Sequence, residues 1–448
     1  MPKSRAPDRV PLTGADCFLR AFDHEVRRKS GASHLSQLVL RLGPGFDPNA
    51  LAKLIAEVAE AQPILRAPIR RPFGVLPPEF RLDLAAKAPL PRVEILDAPR
   101  SPGEPPLPPL FAERLNARLD GRRGELLRCD VVRHAGGAEG SDVAFTWLHM
   151  LLDGSGSERF VRWLDEVGQG ARSAADLPDE PTTDSAVASA RARGDQALRW
   201  QARMRSFASR APRSLAGPLA RTPQRLEVDV ATFTPEETAR IVARARKLAG
   251  FLTPMLFYLA ASLRAHNAVF ALRGIDPRSF VVPLPVNLRA KGASGAVFST
   301  RVSMLWFQVL PAVCGDFDEL LAALKAQRLA AIKDGMVEAG AAAMRFARWL
   351  PRSAYARMAR RTFGGELCSF FFAYTDECLP GMTSFLGAPI ENAFHSPSVP
   401  PSPGSATIFS IRDGRLNFSH VRQAGVFSGF ELVRFRESLR ADLLGAGE

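Results

Sequence analysis

The chain has 448 residues, 46% of them hydrophobic, which is ample material for buried cores and gives a soft prior of two or three domains; disorder of the whole is excluded. Its formal net charge of +13 calls for an anionic partner: nucleic acid, anionic lipid, CoA phosphates or an acidic carrier protein. The excess is local, with nine arginines against one acid (Asp195) from Arg191 to Arg225, and six arginines and no acid from Arg345 to Arg361.

No run of roughly eighteen or more uncharged apolar residues occurs, and Met1-Pro2-Lys3-Ser4-Arg5 lacks a hydrophobic signal core. This predicts a cytoplasmic protein, with peripheral contact to anionic membrane left open. Cys17, Cys129, Cys314, Cys368 and Cys378 are odd in number and share no C-x-x-C spacing, so neither a disulfide framework nor a zinc cluster is supported and no metal is expected. A Walker loop, G-x-G-x-x-G, H-E-x-x-H and G-x-S-x-G are all missing, which argues against the enzyme classes that use them.

In chain order, Pro11 to Leu19 reads as a capped helix start, Leu35 to Leu42 as a strand, and Asp47-Pro48 as the cap of a helix with Leu51, Leu54, Ile55 and Val58 on one face. Prolines are dense from Arg71 to Pro109, which predicts short strands and surface loops. Leu126 to Val132 forms a hairpin, through Gly136-Gly137 and Gly140-Ser141, with the strand that follows.

That strand carries the chemistry. Val143, Phe145, Trp147 and His149 alternate with Ala144, Thr146 and Leu148, and the run ends at Asp153-Gly154. The pattern puts His149 where a rigid strand breaks into a tight loop, and neutral imidazole is the commonest general base near pH 7. The competing reading is a satisfied core histidine. Gly154 suits a sharp exit at positive φ, and Ser155-x-x-Glu158 matches a capping box opening a helix with Phe160, Val161, Trp163, Leu164 and Val167 on its apolar face.

After Val167 the composition turns to Ser, Asp, Pro and Thr, which is linker chemistry. Leu198, Trp200, Met204 and Phe207, interleaved with arginines, read either as an amphipathic helix on anionic membrane or as a solvated connector; no fold motif supports nucleic acid. Thr234-Pro235-Glu236-Glu237 is a second capping box, followed by a helix from Thr253-Pro254 and a strand from Phe280 into Asn287-Leu288-Arg289. Val297 to Leu310 reads as one long apolar strand containing Ser299, Thr300 and Ser303. Asp316 to Lys333 is helical, the basic run to Arg361 suits CoA phosphates, membrane or solvent, and Asp413-Gly414 turns a hairpin before a last helix from Phe430 to Leu444.

The strand, His loop and helix around His149-x-x-x-Asp153-Gly154 resemble the signature of the CoA-dependent acyltransferase superfamily: chloramphenicol acetyltransferase, peptide-synthetase condensation domains and wax ester synthase/diacylglycerol acyltransferases. Its motif is commonly His-His-x-x-x-Asp-Gly, and Leu148 stands here in place of the first His. Pro285-Val286-Asn287-Leu288-Arg289 is similar to a segment of the wax ester synthase-like branch.

The resemblance implies two chloramphenicol acetyltransferase-like α/β lobes, each a mixed sheet flanked by helices, with an active-site channel between them. Residues 1–175 would form the first lobe, 176–224 a basic linker and helix, and 225–448 the second lobe. It implies acyl transfer from a thioester to a hydroxyl or amine, with His149 as general base. Asp153 would pair with Arg289, or with Arg301 as runner-up, and Ser299, Thr300 and Ser303 are the candidate substrate-binding hydroxyls. No tightly bound cofactor is implied: CoA or a phosphopantetheine thioester would be a co-substrate, delivered as acyl-CoA or on an acidic acyl-carrier protein. A carrier-dependent condensation enzyme and a non-catalytic condensation-like binding domain are the alternatives.

Overall fold

The computed structural model describes residues 8–99, 107–177, 190–217, 225–289 and 296–445. A three-stranded sheet of β1 (Arg9–Pro11), β4 (Glu79–Arg81) and β3 (Ile69–Arg70) borders the first lobe. The centre of that lobe is a six-stranded mixed sheet in the order β12-β13-β2-β7-β6-β5. Strand β7 (Ser141–Leu148) is buried at every position, which fits its near-continuous apolar sequence, and pairs antiparallel with β2 (Leu35–Leu42) and β6 (Leu127–Arg133). Strand β5 (Arg92–Asp97) runs parallel to β6. The β6–β7 turn contains Gly136, Gly137 and Gly140 at φ of 65, 101 and 88°, and a Cβ on Gly140 would lie 2.2 Å from the Leu42 carbonyl oxygen.

Helices α2 (Pro48–Ala61) and α4 (Gly154–Gly168) pack on one face of this sheet, and α3 (Pro109–Leu115) puts Phe111 and Leu107 against the other. The lobe is not built from residues 1–175 alone. Strands β12 (Ser384–Phe385) and β13 (Ala388–His395) return from late in the chain, and β13 pairs antiparallel with β2.

The second sheet runs β11-β14-β15-β8, from β11 (Phe371–Glu377), β14 (Ser405–Arg412), β15 (Arg415–Gln423) and β8 (Leu226–Thr232). Asp413 and Gly414 turn the β14–β15 hairpin at φ of 47 and 69°, as an Asp-Gly pair predicts. Beside it lies an antiparallel ribbon of β9 (Phe280–Asn287) and β10 (Val302–Val309). Helix α6 (Pro235–Ala249) starts with the predicted capping box, Thr234 and Glu237 each satisfying the other's backbone N–H. Helix α7 (Pro254–Leu272) is mostly apolar and long enough to cross a bilayer by composition; here it is the core helix, packed among α6, α8 (Phe317–Lys333) and α11 (Gly429–Leu444), with its Arg264 paired to Asp442 of α11 (2.8 Å).

A third layer joins the lobes. Helix α1 (Gly14–Ser30) packs against α9 (Met336–Ala347) and α10 (Arg352–Arg361), and α5 (Ala190–Ala208) lies along α9. Val297 to Leu310 is not one strand: the regular ribbon starts at Val302, and residues 297–301 leave it to dock on the His149 loop, with Ser299 at φ 72°.

Candidate active site around His149

The β7 ladder ends at Leu148, and the next residue donates its backbone N–H to the His34 carbonyl oxygen (3.1 Å). The His149 ring is half-buried. Its Nδ1 lies 3.4 Å from the Leu152 carbonyl oxygen, which also accepts from Trp147 Nε1 at 2.8 Å. A carbonyl only accepts, so this contact places the ring proton on Nδ1 and leaves the Nε2 lone pair as the basic site. Burial lowers the His149 pKa below 6.5, opposed by its backbone hydrogen bonds and the Asp153 charge, so the imidazole is neutral at pH 7.

A second imidazole sits beside it. The His34 and His149 ring centroids are 5.3 Å apart at 35°. His34 donates its backbone N–H to Asp23 Oδ1 (3.0 Å), its Nδ1 is 2.9 Å from Ser398 Oγ, and burial followed by repulsion from His149 holds its pKa well below 6.5. His34 has no place in the sequence reading. The available signal was register: Leu35 pairs with Leu148, so the residue before one faces the residue after the other.

Asp153 does not face this pair. Its Oδ1 accepts the Gly156 N–H (2.8 Å), capping α4, and its Oδ2 accepts Arg289 Nη1 at 2.6 Å and the Arg301 backbone N–H at 2.8 Å. Both candidate partners therefore reach it, Arg289 with its side chain and Arg301 through its backbone. The Asp153 and Arg289 side chains are only 4% and 1% exposed, so neither charge has water to fall back on. Arg289 also holds the carbonyl oxygens of Ala296 (3.2 Å) and Ser299 (3.3 Å).

Two local expectations are corrected. Ser155 and Glu158 do not form a capping box: Asp153 is the cap, Ser155 Oγ accepts from Asn287 Nδ2 (3.0 Å), and Glu158 binds the Leu379 N–H and His395 Nε2. Gly154 is not at positive φ but is the first helical residue. The glycine that geometry demands is Gly156, where a Cβ would lie 2.5 Å from the Val297 carbonyl oxygen.

The three candidate hydroxyls separate. Ser299 forms an isolated bridge with Leu152 and donates its N–H to the Leu151 carbonyl (2.9 Å), so it belongs to the wall of the His149 loop. Thr300 donates its backbone N–H to Asp16 Oδ1 (2.8 Å) and accepts from Thr13 Oγ1 (3.1 Å). Ser303 Oγ donates to the Val337 carbonyl (2.6 Å) and fastens α9 to the ribbon, so its proton serves packing. Asp16, the N3 residue of the α1 capping box, is fully buried, and burial raises its pKa to about 6 against the hydrogen bonds that lower it. Successive amides of the docked segment thus bind two carboxylates, Thr300 to Asp16 and Arg301 to Asp153, which ties α1 to the His149 loop.

Behind the loop, one ligand atom each from Glu158, Cys378 and His395 lies within 4.8 Å of the others. Three such groups could contact a metal, but the carboxylate already holds Leu379 N–H (3.1 Å) and His395 Nε2 (3.0 Å), and burial keeps the Cys378 thiol protonated, with a pKa well above its ordinary value. Leu148 and Met150 line a 160 Å³ pocket with Arg20, Arg27, Arg118, Arg122 and Arg352 and with two acids, Asp23 and Asp120, of which Asp23 pairs with Arg27 at 2.6 Å.

No protein-family model matches the chain, and no curated protein matches its sequence. Solved structures do. The first condensation domain of the calcium-dependent antibiotic synthetase superposes with a TM-score of 0.71 at 16% identity, over 98% of this chain and 96% of that one. Trichothecene 15-O-acetyltransferase from Fusarium sporotrichioides gives 0.70 at 12% identity, over 97% and 94%. Polyketide synthase associated protein 5 from Mycobacterium tuberculosis gives 0.63 at 16%, over 99% and 100%. The chain shares the fold of these condensation domains and of this acetyltransferase. The two-lobed condensation-domain architecture thus spans the chain from end to end, and the expectation of two mixed sheets flanked by helices holds.

Proposed function

We propose that the protein moves an acyl group from a thioester, carried on CoA or on the phosphopantetheine arm of a carrier protein, to a hydroxyl or amine, with His149 as general base. The observation that carries this reading is the state of His149: neutral, mostly buried but still reached by solvent, with Nδ1 turned to a carbonyl and Nε2 left basic, at the end of a rigid strand in this fold. Nε2 would take the proton of the acceptor as its oxygen or nitrogen attacks the thioester carbonyl carbon. The carbon–sulfur bond then breaks, and the same proton passes to the leaving thiolate, giving ester or amide and free thiol. Holding both substrates in one cleft supplies much of the rate, and no acyl-enzyme is needed. Asp153 and Arg289 act as positioning residues that fix the loop.

Five arginines against two acids in the pocket beside Leu148 and Met150 leave a cationic surplus that suits an anionic donor such as CoA or phosphopantetheine. Carrier-dependent condensation is the second reading, because condensation domains are among the structures that superpose over the whole chain. Incubating purified protein with acyl-CoA and with acyl-carrier protein, and following free thiol, tests both. Wild type should consume one donor and His149→Ala should lose about 10²–10⁴ of that rate, the usual worth of a general base. Undiminished turnover by the variant would remove His149 from the chemistry.

A further inference from the structure

Phe73 is the most exposed large apolar side chain among the described residues, at 91%, and its backbone stands at φ 49°, a left-handed conformation that bulky side chains rarely adopt. Val75 and Leu76 beside it are exposed as well. The turn is nonetheless built: the Gly74 N–H donates to the Arg71 carbonyl oxygen (3.2 Å), and the Val75 and Leu76 N–H groups donate to that of Pro72 (3.3 and 3.2 Å). A backbone outlier that its surroundings hold in place, and that aims a phenyl ring at solvent and not at a core, points to a function for the ring.

Arg71 fastens this tip to a second one. Its Nε donates to the Gly74 carbonyl (3.0 Å) and its Nη2 to that of Val75 (3.1 Å), while Nη1 donates to the Leu350 carbonyl (2.8 Å) and Nη2 also to that of Trp349. One guanidinium thus serves four carbonyls and ties the 73–75 turn to the end of α9. There Trp349 and Phe346 are 51% and 48% exposed, and the Trp349 N–H donates to the Phe346 carbonyl (3.3 Å). Phe346 also lines, with the exposed Leu198 and Met358, an apolar cavity between α1, α5, α9, α10, β10 and β11. The stripe on α5 that the sequence offered to a membrane is different: Met204 and Phe207 are buried against Val281 and Phe363.

The charge around the tips has one sign. Residues 62–78 and 339–365, which carry them, contain nine arginines and no acid, and Arg345 is exposed immediately before Phe346. From this juxtaposition we infer that Phe73 and Val75, with Phe346 and Trp349, insert into the headgroup region of an anionic lipid bilayer and hold the protein on it reversibly. Exposed rings can enter between headgroups while guanidinium groups remain at the phosphates, and aromatic side chains favour that boundary. Four large apolar side chains on two tips fall far short of the roughly 20–30 residues a side that a stable protein interface uses. Membrane docking of this kind is independent of the acyl-transfer chemistry.

The test sediments the full-length protein with vesicles of phosphatidylcholine alone and of phosphatidylcholine with about one-third phosphatidylserine. Binding to the anionic vesicles should be stronger by about tenfold or more and should weaken steeply as salt is raised toward 1 M, where the screening length is about 3 Å. Phe73→Asn and Trp349→Ser should each weaken it by about tenfold or more, as the loss of an inserted ring predicts, and Arg345→Gln by about fivefold, the worth of one cation near an anionic surface. Asparagine tolerates the left-handed backbone, so Phe73→Asn should leave the thermal midpoint unchanged or raise it, which separates lost docking from misfolding. No sedimentation with either vesicle, equal sedimentation with both, or anionic binding that survives Phe73→Asn combined with Trp349→Ser would overturn the assignment. So would a lipid-free dimer that Phe73→Asn dissolves in sedimentation velocity, which would give the tips to a second copy of the chain.

Discussion

The His149 loop and the cavity beside it reach their shapes by opposite means. In the loop, directional polar contacts fix the backbone: Asp153 accepts three hydrogen bonds, Asp16 accepts from Thr300, and Ser299 donates to Leu151. The cavity, 1070 Å³ in volume, is walled by large apolar side chains from six elements, α1, α5, α9, α10, β10 and β11, and the Trp200 indole N–H in it has no partner among the described residues. The first arrangement over-determines a single geometry, as a reacting nitrogen requires; the second, walled by methionine and aromatic side chains, adapts to several. The Phe22 and His34 rings stand between the two regions.

The sharpest way to separate the regions is to remove the base. His149→Ala should cost roughly 3–5 kcal/mol of transition-state stabilisation, the equivalent of about 10²–10⁴ in rate, while the fold and the cavity persist. The pH profile gives an independent check. Since burial lowers the His149 pKa below 6.5, the neutral form dominates at pH 7, and kcat/KM should stay level through neutrality and fall only on acidification below 6.5. An acid limb centred above pH 7 would mean that another group titrates in the rate.

The next largest effect should be on stability and belongs to the clamp. Asp153→Ala or Arg289→Ala strands a charge that is almost wholly buried, which typically costs about 3–5 kcal/mol. Urea unfolding should show a lower midpoint with unchanged slope. Joint replacement, Asp153→Asn with Arg289→Met, should recover part of the loss because neither residue is then left charged and unpaired. A loss below about 1 kcal/mol for the single variants would mean that water reaches the pair.

Much of the loop can be read from the sequence because its determinants are local. Alternation along 143–149 marks the strand, the break at Asp153-Gly154 marks the turn, and the capped start within 11–19 and the capping box at Thr234 each announce a helix. Where local signals compete, the reading slips: Ser155-x-x-Glu158 has the right letters, but Asp153 is placed to cap first, and tertiary contacts to His395 and Leu379 claim Glu158. The 297–301 segment is apolar enough for a strand, yet Asp16 and Asp153 hold its amides away from the ribbon. The cavity is illegible for a different reason. Its wall is assembled from residues near 20, 200, 305, 345 and 360, and no periodicity within α5 or α10 distinguishes an apolar stripe facing a cavity from one facing a membrane.

Gly156 tests how closely the loop is fitted. A Cβ there would lie 2.5 Å from the Val297 carbonyl oxygen, a backbone atom that cannot swing away, and 3.2 Å from both Arg289 Nη2 and Asp153 Oδ1. Gly156→Ala should therefore destabilise by roughly 1–3 kcal/mol through overpacking and reduce turnover with it, whereas Gly154→Ala, whose Cβ meets nothing nearer than His395 Cε1 at 3.9 Å, should be close to neutral. Equal tolerance at the two positions would show that the docked segment moves freely on the loop.

The smallest effect probes the partition itself. Ser398 Oγ accepts the Leu35 N–H (2.8 Å) and meets His34 Nδ1 (2.9 Å), so it steadies the imidazole that stands between cavity and base. Ser398→Ala should cost about 1 kcal/mol, the net worth of a buried hydrogen bond, and loosen His34 without altering the clamp. Because the folded-state pKa of His34 lies below the unfolded value of about 6.5, the unfolded chain binds more protons as the pH drops beneath that point, and stability should fall over the same range. If this support matters to catalysis, Ser398→Ala should lower kcat as well as stability; an unchanged kcat would confine His34 to packing.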